Sequence, residues 1–335
     1  MAMLTSQEVK EFALQCGADK VGIGSMDRFE GSPKQFDPRY IMPRAKSIIG
    51  LVFRIHRGLF RGIEEGTYFA GYPTVGYANI NDVYAPIVTR EVASFLEDNG
   101  YEALPYINGS VRLGAGRGVP VEEGKPAPDV FLHFRVAGVI CGLGEIGYSK
   151  LFLTKEFGPA QRLVFILTEA ELEPDPVVTG QICDGCMCCV RECPAHAISP
   201  DKTVDINVAG HDVSWGELDE LKCTAVYQAG TKEISPFMPE EIKPYIDNII
   251  NDVWKDNEKG MLDYSKHQGV WAYLRENYPY ITNNHNSFHH PAALCGARGC
   301  TRACLDHLDK KGVLTHKFKY PFRDRKPWVI KNPEE

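Results

Sequence analysis

The segment Cys183-Asp-Gly-Cys186-Met-Cys-Cys189-Val-Arg-Glu-Cys193-Pro194 carries thiols at the spacing C-x2-C-x2-C-x3-C-P. That spacing suits a four-iron, four-sulfur (4Fe–4S) cubane. Tetrahedral iron takes soft thiolates, and one tight loop can supply three of them. The spacing predicts that Cys193 opens a helix carrying its thiolate toward a second cluster, with Pro194 unable to continue the preceding hydrogen-bond pattern. A zinc ribbon and a disulfide knot are the alternatives. Zinc favours two separated C-x2-C pairs, and disulfides belong to secreted chains.

The remaining cysteines extend this reading. Cys295-Gly-Ala-Arg-Gly-Cys300-Thr-Arg-Ala-Cys304 lies more than a hundred residues downstream and ends on the same x3 step. In two-cluster chains the fourth cysteine of each run serves the other cluster. Cluster one then takes Cys183, Cys186, Cys189 and Cys304. Cluster two takes Cys193, Cys295 and Cys300, with Cys223 as the best candidate for its last ligand. Cys16, Cys141 and Cys188 are left over, and buried free thiols are common. Cys188 could compete with Cys189 only by breaking the x2 spacing.

The elements that must position these residues are legible in part. The chain has 335 residues and a net charge of −7, enough for two domains and unfavourable to a broad nucleic-acid-binding field. Thr5-Ser-Gln-Glu8 reads as a capping box opening a helix over 6–16 that stops at Gly17. Short and buried strands are expected at Val21-Gly-Ile-Gly and Ser47–Arg54, a helix at 83–98, and strands near 102–106 and from Leu163. A Gly/Pro-rich loop fills 108–128, and Glu-Pro-Asp-Pro at 173–176 marks a boundary. These signals predict an α/β (α+β) domain over 1–175, a cysteine-rich domain over 176–310 and a basic aromatic C-terminal arm over 311–335. In that arm the aromatics should pack on the body while Lys317, Lys319, Arg323, Arg325, Lys326 and Lys331 stay solvated. No apolar run is long enough to cross a membrane. Reduced cysteines and an N-terminus without signal-peptide character predict a cytoplasmic protein.

Gly142-Leu143-Gly144-Glu-Ile-Gly147 matches G-x-G-x-x-G, but it lies deep in the domain after a segment with helical character. A dinucleotide fingerprint belongs after the first strand of a βαβ unit, so another kind of glycine loop is the better reading. The stretch His133-Phe-Arg135-Val-Ala137 through this loop to Lys150, then Leu153–Gly158, Leu167–Leu172 and Cys223, resembles the epoxyqueuosine reductase and reductive dehalogenase superfamily. The resemblance covers most of residues 45–310. It implies a nitroreductase-like domain holding base-off cobalamin, followed by a ferredoxin-like two-cluster domain. Arg135, Gly142, Leu143, Gly144 and Gly147 would line the corrinoid pocket.

The chain also departs from that pattern. The family's acidic proton donor, counted back from Arg135, falls on Pro128, with Asp129 one place off and Phe134 where a Glu is expected. Asp129 and His133 are the candidate catalytic residues, and Tyr77, Tyr84 and Tyr106 are further proton-donor candidates. The resemblance implies an oxidoreductase of anaerobic metabolism, fed by reduced ferredoxin or flavodoxin and acting on a small molecule. An electron carrier or corrinoid-reactivating protein, a flavin (FMN) in place of cobalamin, and reduction of epoxyqueuosine in tRNA are the alternatives.

Overall fold

The computed structural model describes residues 4–106, 119–220, 222–223 and 295–323. Helix α1 (Ser6–Gln15) starts at the expected capping box. Thr5 accepts from the Glu8 N–H at 3.3 Å, and the Glu8 carboxylate accepts from the Thr5 N–H at 2.8 Å. These bonds satisfy amides that have no partner inside the helix.

Four strands form one antiparallel sheet: β1 (Lys20–Ser25), β2 (Ser47–Arg54), β3 (Ala103–Tyr106) and, later in the chain, β6 (Gln161–Thr168). Their order is β1–β2–β6–β3. The middle strands are apolar almost throughout because both faces are covered. Ile49, Leu51 and Phe53 pack with Val164 and Ile166 beneath α1 and α3 (Ala85–Asp98). Ile48 and Val52 pack with Leu163, Phe165 and Leu167 against α4 (Phe134–Ile140) on the other side. Each fully buried side chain of this size contributes about 1.5–3 kcal/mol, so these faces fix the register.

Helix α2 (Arg57–Glu65) follows β2 and closes at Gly66 in the left-handed conformation. A π-helical stretch, Thr74–Tyr84, leads into α3. The two-residue strands β4 (Glu145–Ile146) and β5 (Phe152–Leu153) pair beside α4. The boundary predicted at 173–176 is tied down: Asp175 accepts from the Ile23 N–H, pairs with Lys10 at 2.6 Å and donates its own N–H to Ile23.

Beyond it, α5 (Cys188–Arg191) lies before Cys193, not after it. The expected helix start at Cys193 is therefore corrected. The chain turns at Cys193-Pro194 instead and enters a hairpin, β7 (Ile198–Val208) and β8 (His211–Leu218). Its turn residues Ala209 and Gly210 both have positive φ, the geometry that matches strand twist in a two-residue loop. Helices α6 (Cys295–Arg298) and α7 (Cys300–Lys310) carry the downstream cysteines. Most of the interval between Cys223 and Cys295, and the arm residues Arg325, Lys326, Trp328 and Lys331, lie outside the described residues. Within the described part of the arm, Phe322 is buried and Phe318 sits 4.3 Å from the Arg57 guanidinium, while Tyr320 is exposed.

Candidate functional site

The candidate ligands downstream lie close to those of the upstream run. The Cys304 thiol is held well above its ordinary range by burial and then by Cys183, Cys189 and Cys186. The Cys300 thiol is pushed up to about 12 by burial, with Cys193 and Cys223 as its strongest charged neighbours. Cys295 is likewise raised by burial and by Cys300, Cys223 and Cys193. Burial and Cys193 push Cys223 to about 11. Helices α6 and α7 thus bring Cys295, Cys300 and Cys304 back onto the upstream run, with Cys304 meeting the first set and the others the second. A donor set of four mutually near thiols suits a cubane, because bound iron supplies the positive charge that lets buried thiols ionise.

Of the leftover cysteines, Cys141 lies in the sheet core and Cys188 lies beside Cys186. The Cys141 thiol is fully buried, donates to the Ile48 carbonyl at 3.6 Å and has its pKa raised by burial. Cys188 receives a hydrogen bond from the Arg191 guanidinium at 3.1 Å, and its sulfur lies within 4.8 Å of Cys186 and His307.

The glycine loop serves the first group directly. Glu145, 3 % exposed, accepts from the backbone N–H groups of Gln181, Ile182 and Cys183 at 2.7, 3.0 and 2.6 Å. The Tyr148 N–H donates to the Cys183 sulfur at 3.4 Å. A Cβ on Gly144 would fall 1.9 Å from the Leu153 carbonyl oxygen, and one on Gly142 would fall 2.4 Å from the Pro176 carbonyl oxygen. Leu143 is buried in the core, and Gly147 packs on Leu153 near the Cys183 sulfur. The loop's small residues are therefore used up by close backbone approach inside the protein. The expectation that glycine there leaves room for a corrinoid is corrected.

A buried ion network anchors the downstream helices. Arg302, between two candidate ligands on α7, donates to Glu64 of α2 at 2.9 Å and to Glu192 at 2.8 Å. Glu64 also accepts from Arg323 at 3.2 Å. At the rim, Lys311 and His307 hold the Asp184 carboxyl well below the usual carboxylate range.

A cavity of about 290 Å³ opens beside the second cysteine group. Tyr72, Tyr77, Asn81, His133, Arg135 and Arg162 are among its walls. Arg135 is half-buried and its strongest opposite-charge neighbours are Cys223 and Glu220, which connects the cavity to that group electrostatically. His133 Nδ1 accepts from the Val136 N–H at 3.3 Å. Burial and then Arg135 lower its pKa to about 4. At neutral pH the ring is uncharged and its proton sits on Nε2.

No family model matches the chain. It is 31 % identical over 176 residues to a tetrachloroethene reductive dehalogenase from Dehalobacter restrictus, covering 50 % of this chain and 27 % of that protein. It is 32 % identical over 110 residues to an epoxyqueuosine reductase from Lactococcus garvieae, covering 32 % and 26 % respectively. Over at most half of its length, the chain is similar to reductive dehalogenases and epoxyqueuosine reductases. Its match spans about a quarter of the length of these relatives. A solved catabolic reductive dehalogenase superposes with a TM-score of 0.49 at 17 % identity, covering 79 % of this chain and 36 % of that one.

The candidate proton donors separate. Asp129 is exposed and borders a different cavity, of about 470 Å³, together with Tyr106. It does not line the cavity of His133 and Arg135. Tyr106 receives the Leu132 N–H at 3.2 Å and donates to the Val130 carbonyl at 3.3 Å, a structural pair of bonds. Tyr84 donates to the Gly17 carbonyl at 3.1 Å. Tyr77 alone of the three lines the cavity beside the cysteines, under Arg162 at 4.1 Å. Asn81 and Arg162 were not foreseen from sequence. The only local signal was the run 74–84, a π-helical stretch of a kind that recurs at functional sites.

Proposed function

We propose that this chain is an iron–sulfur reductase that cleaves a leaving group from a small molecule held in the Arg135 cavity. The reading is supported above all by the return of Cys295, Cys300 and Cys304 to the upstream run, and by Cys223 as the strongest opposite-charge neighbour of Arg135 in the cavity wall. Cys183, Cys186, Cys189 and Cys304 would hold one 4Fe–4S cluster, and Cys193, Cys223, Cys295 and Cys300 the other. Reduced ferredoxin or flavodoxin would deliver two electrons, one at a time.

The superfamily implies cobalamin, and the residues fit it in part. The Gly142–Gly147 loop leaves it no room, whereas the cavity wall offers Arg135 and the His133 Nε2–H. That cavity, of about 290 Å³, is too small to enclose a whole corrinoid, so only an edge of one would reach Arg135 and His133; when bound, the group would supply two-electron chemistry. The protein's residues would do the rest. Arg135 holds positive charge against the cluster thiolates, Phe131, Leu132 and Phe134 exclude water, and Tyr77 donates the proton to the carbon from which the group leaves. The balance is a substrate bond broken, two electrons and one proton consumed, and the leaving group departing as an anion. His133 does not fill the donor role, because a neutral imidazole is too weak an acid.

Anaerobic purification with cobalamin supplied is the deciding experiment. Corrinoid absorption together with cluster absorption is expected. Flavin bands, or clusters alone that pass electrons to a second protein without substrate turnover, would replace this reading with one of its alternatives.

A second reading, reduction of epoxyqueuosine in tRNA, is favoured by the Lactococcus relative. A tRNA substrate asks for phosphate-neutralising cations, and the chain carries a net charge of −7. Weak or no epoxyqueuosine loss is expected on tRNA from a strain lacking its own reductase. Full complementation would establish the tRNA activity instead.

A further inference from the structure

We propose that the loop carrying Cys183, Cys186 and Cys189 is the docking face for a small acidic electron-carrier protein, steered there by a ring of exposed cations. The inference rests on the reading of these cysteines as ligands of one 4Fe–4S cluster and adds the surface through which electrons enter it.

The loop reaches the surface. Cys183 and Cys186 are half-buried, and Asp184 and Gly185 between them are exposed. The exposed cations Lys155, Arg191, Lys310, Lys311 and Lys317 are tied to this loop or to the turn against it. Lys155 Nζ donates to Gln181 Oε1 at 2.6 Å, two residues before Cys183. Lys311 Nζ and His307 Nε2 both meet the Asp184 carboxylate, the latter at 3.0 Å. The Arg191 guanidinium donates to the Cys188 sulfur at 3.1 Å. Lys310 shares the wall of a cleft of about 190 Å³ with Cys188, Arg191 and His307. Lys317 Nζ donates to the Gly312 carbonyl at 2.9 Å, beside Lys311. The Thr315 N–H donates to the Lys155 carbonyl at 2.8 Å, which joins the two ends of this arc.

The carboxylates among these cations are already engaged. Asp184 is held by Lys311 and His307, Asp306 pairs with Lys310 at 2.7 Å, and Glu192 pairs with Arg302 at 2.8 Å. Lys155 and Lys317 donate to a side-chain amide and a backbone carbonyl, which leave their charge uncancelled. A patch of this sign on a chain of net charge −7 is a local feature. Such a field steers a partner of opposite charge and raises its association rate. Electron-transfer encounters are small and transient, and depend on steering more than on buried area. Position selects a protein carrier over RNA. A nucleic-acid substrate would have to present its base to the Arg135 cavity beside Cys223, whereas this patch rings Cys186. At each encounter the reduced carrier loses one electron and the cluster gains it, with no bond made or broken. Two encounters supply the two electrons that the cleavage consumes.

The test is stopped-flow mixing of the cluster-loaded full chain with a reduced acidic ferredoxin, following reoxidation of the ferredoxin. The second-order rate should fall at least about tenfold between about 50 and about 500 mM salt. Lys155→Glu combined with Lys317→Glu should slow it by about tenfold or more at low salt. Full cluster reduction by excess dithionite and an unchanged melting temperature show that this variant is intact. Lys34→Glu combined with Lys202→Glu changes the net charge equally at exposed positions outside the ring, and should alter the rate less than about twofold. A rate indifferent to salt, an undiminished rate in the ring variant, or an equal loss in the control variant would overturn the proposal. So would loss of tRNA binding in the ring variant with its ferredoxin rate unchanged, which would make the patch an RNA contact. The reductase reading fails separately, if ferredoxin reduces the clusters through this patch and no substrate is turned over.

Discussion

Glu145 shows how one side chain joins the glycine loop to the cysteine run. Its carboxylate accepts three consecutive N–H groups that lead into Cys183. Glu145→Ala leaves those amides without their acceptor, each lost bond costing about 1–3 kcal/mol where the site stays dry. Iron content should fall by about half, with the signal of the second cluster retained. Retention of full iron would mean the loop holds Cys183 without Glu145. Cys223→Ala should likewise remove one cluster and spare the other, whereas Cys188→Ala should keep both. Iron analysis paired with electron paramagnetic resonance separates these outcomes. His133 carries a pH signature. Its folded pKa of about 4 lies below its ordinary 6.5, so the unfolded chain takes up the proton first. Its contribution to stability is present above 6.5 and lost as pH falls toward 4. His133→Asn should therefore flatten the fall in denaturation midpoint across that window. An unchanged slope would assign the acid sensitivity to other groups.

At the scale of elements, the pairing of β4 with β5 requires Gly144, because its Cα side faces the Leu153 carbonyl. Gly144→Val pushes that backbone apart and displaces Glu145 with it. The expected result is a loss of at least about 1–3 kcal/mol of stability accompanied by loss of the first cluster. A variant that kept its clusters and melting temperature would restore the loop to a cofactor-lining role. Helix α7 depends on Arg302 in a comparable way. Removing that side chain takes from buried Glu64 the guanidinium that pairs with it at 2.9 Å, and breaking a buried pair costs about 3–5 kcal/mol. Arg302→Ala should lower both the unfolding midpoint and iron occupancy, because Cys300 and Cys304 ride on the same helix. Much of this level was legible beforehand. The capping box at Thr5, the apolar runs of β2 and β6 and the helical character before Gly142 all emerged as expected, since local hydrogen bonding and two-sided burial write their own patterns. The hairpin β7–β8 was not foreseen, and the helix expected at Cys193 lies before it. Metal-loop backbone follows ligand geometry, not hydrophobic periodicity.

For the molecule as a whole, the two proposed four-thiol groups set an expected content of about eight irons and eight sulfides after anaerobic reconstitution. A stable value near four would remove one cluster from the scheme. No helix among the described residues is long and apolar enough to cross a membrane. The match to known relatives covers half of this chain at most and about a quarter of theirs, so activity assays should use the complete chain with its electron donor.

The sequence by itself determined the thiol spacing on which the proposed cluster chemistry rests, because spacing in a short loop is a local property and the x3 step recurs at both runs. It also determined the order of the early strands and helices, through capping and apolar patterning. Only the tertiary structure decided which tyrosine reaches the cavity, that Asp129 points elsewhere, and that the glycines accommodate Leu153 and Pro176. Those are matters of distance between segments far apart in the chain. Asn81, Arg135 and Arg162 come from a π-helical stretch, a helix and a strand separated by as many as eighty residues. They share one cavity because the sheet's buried faces fix where each element ends.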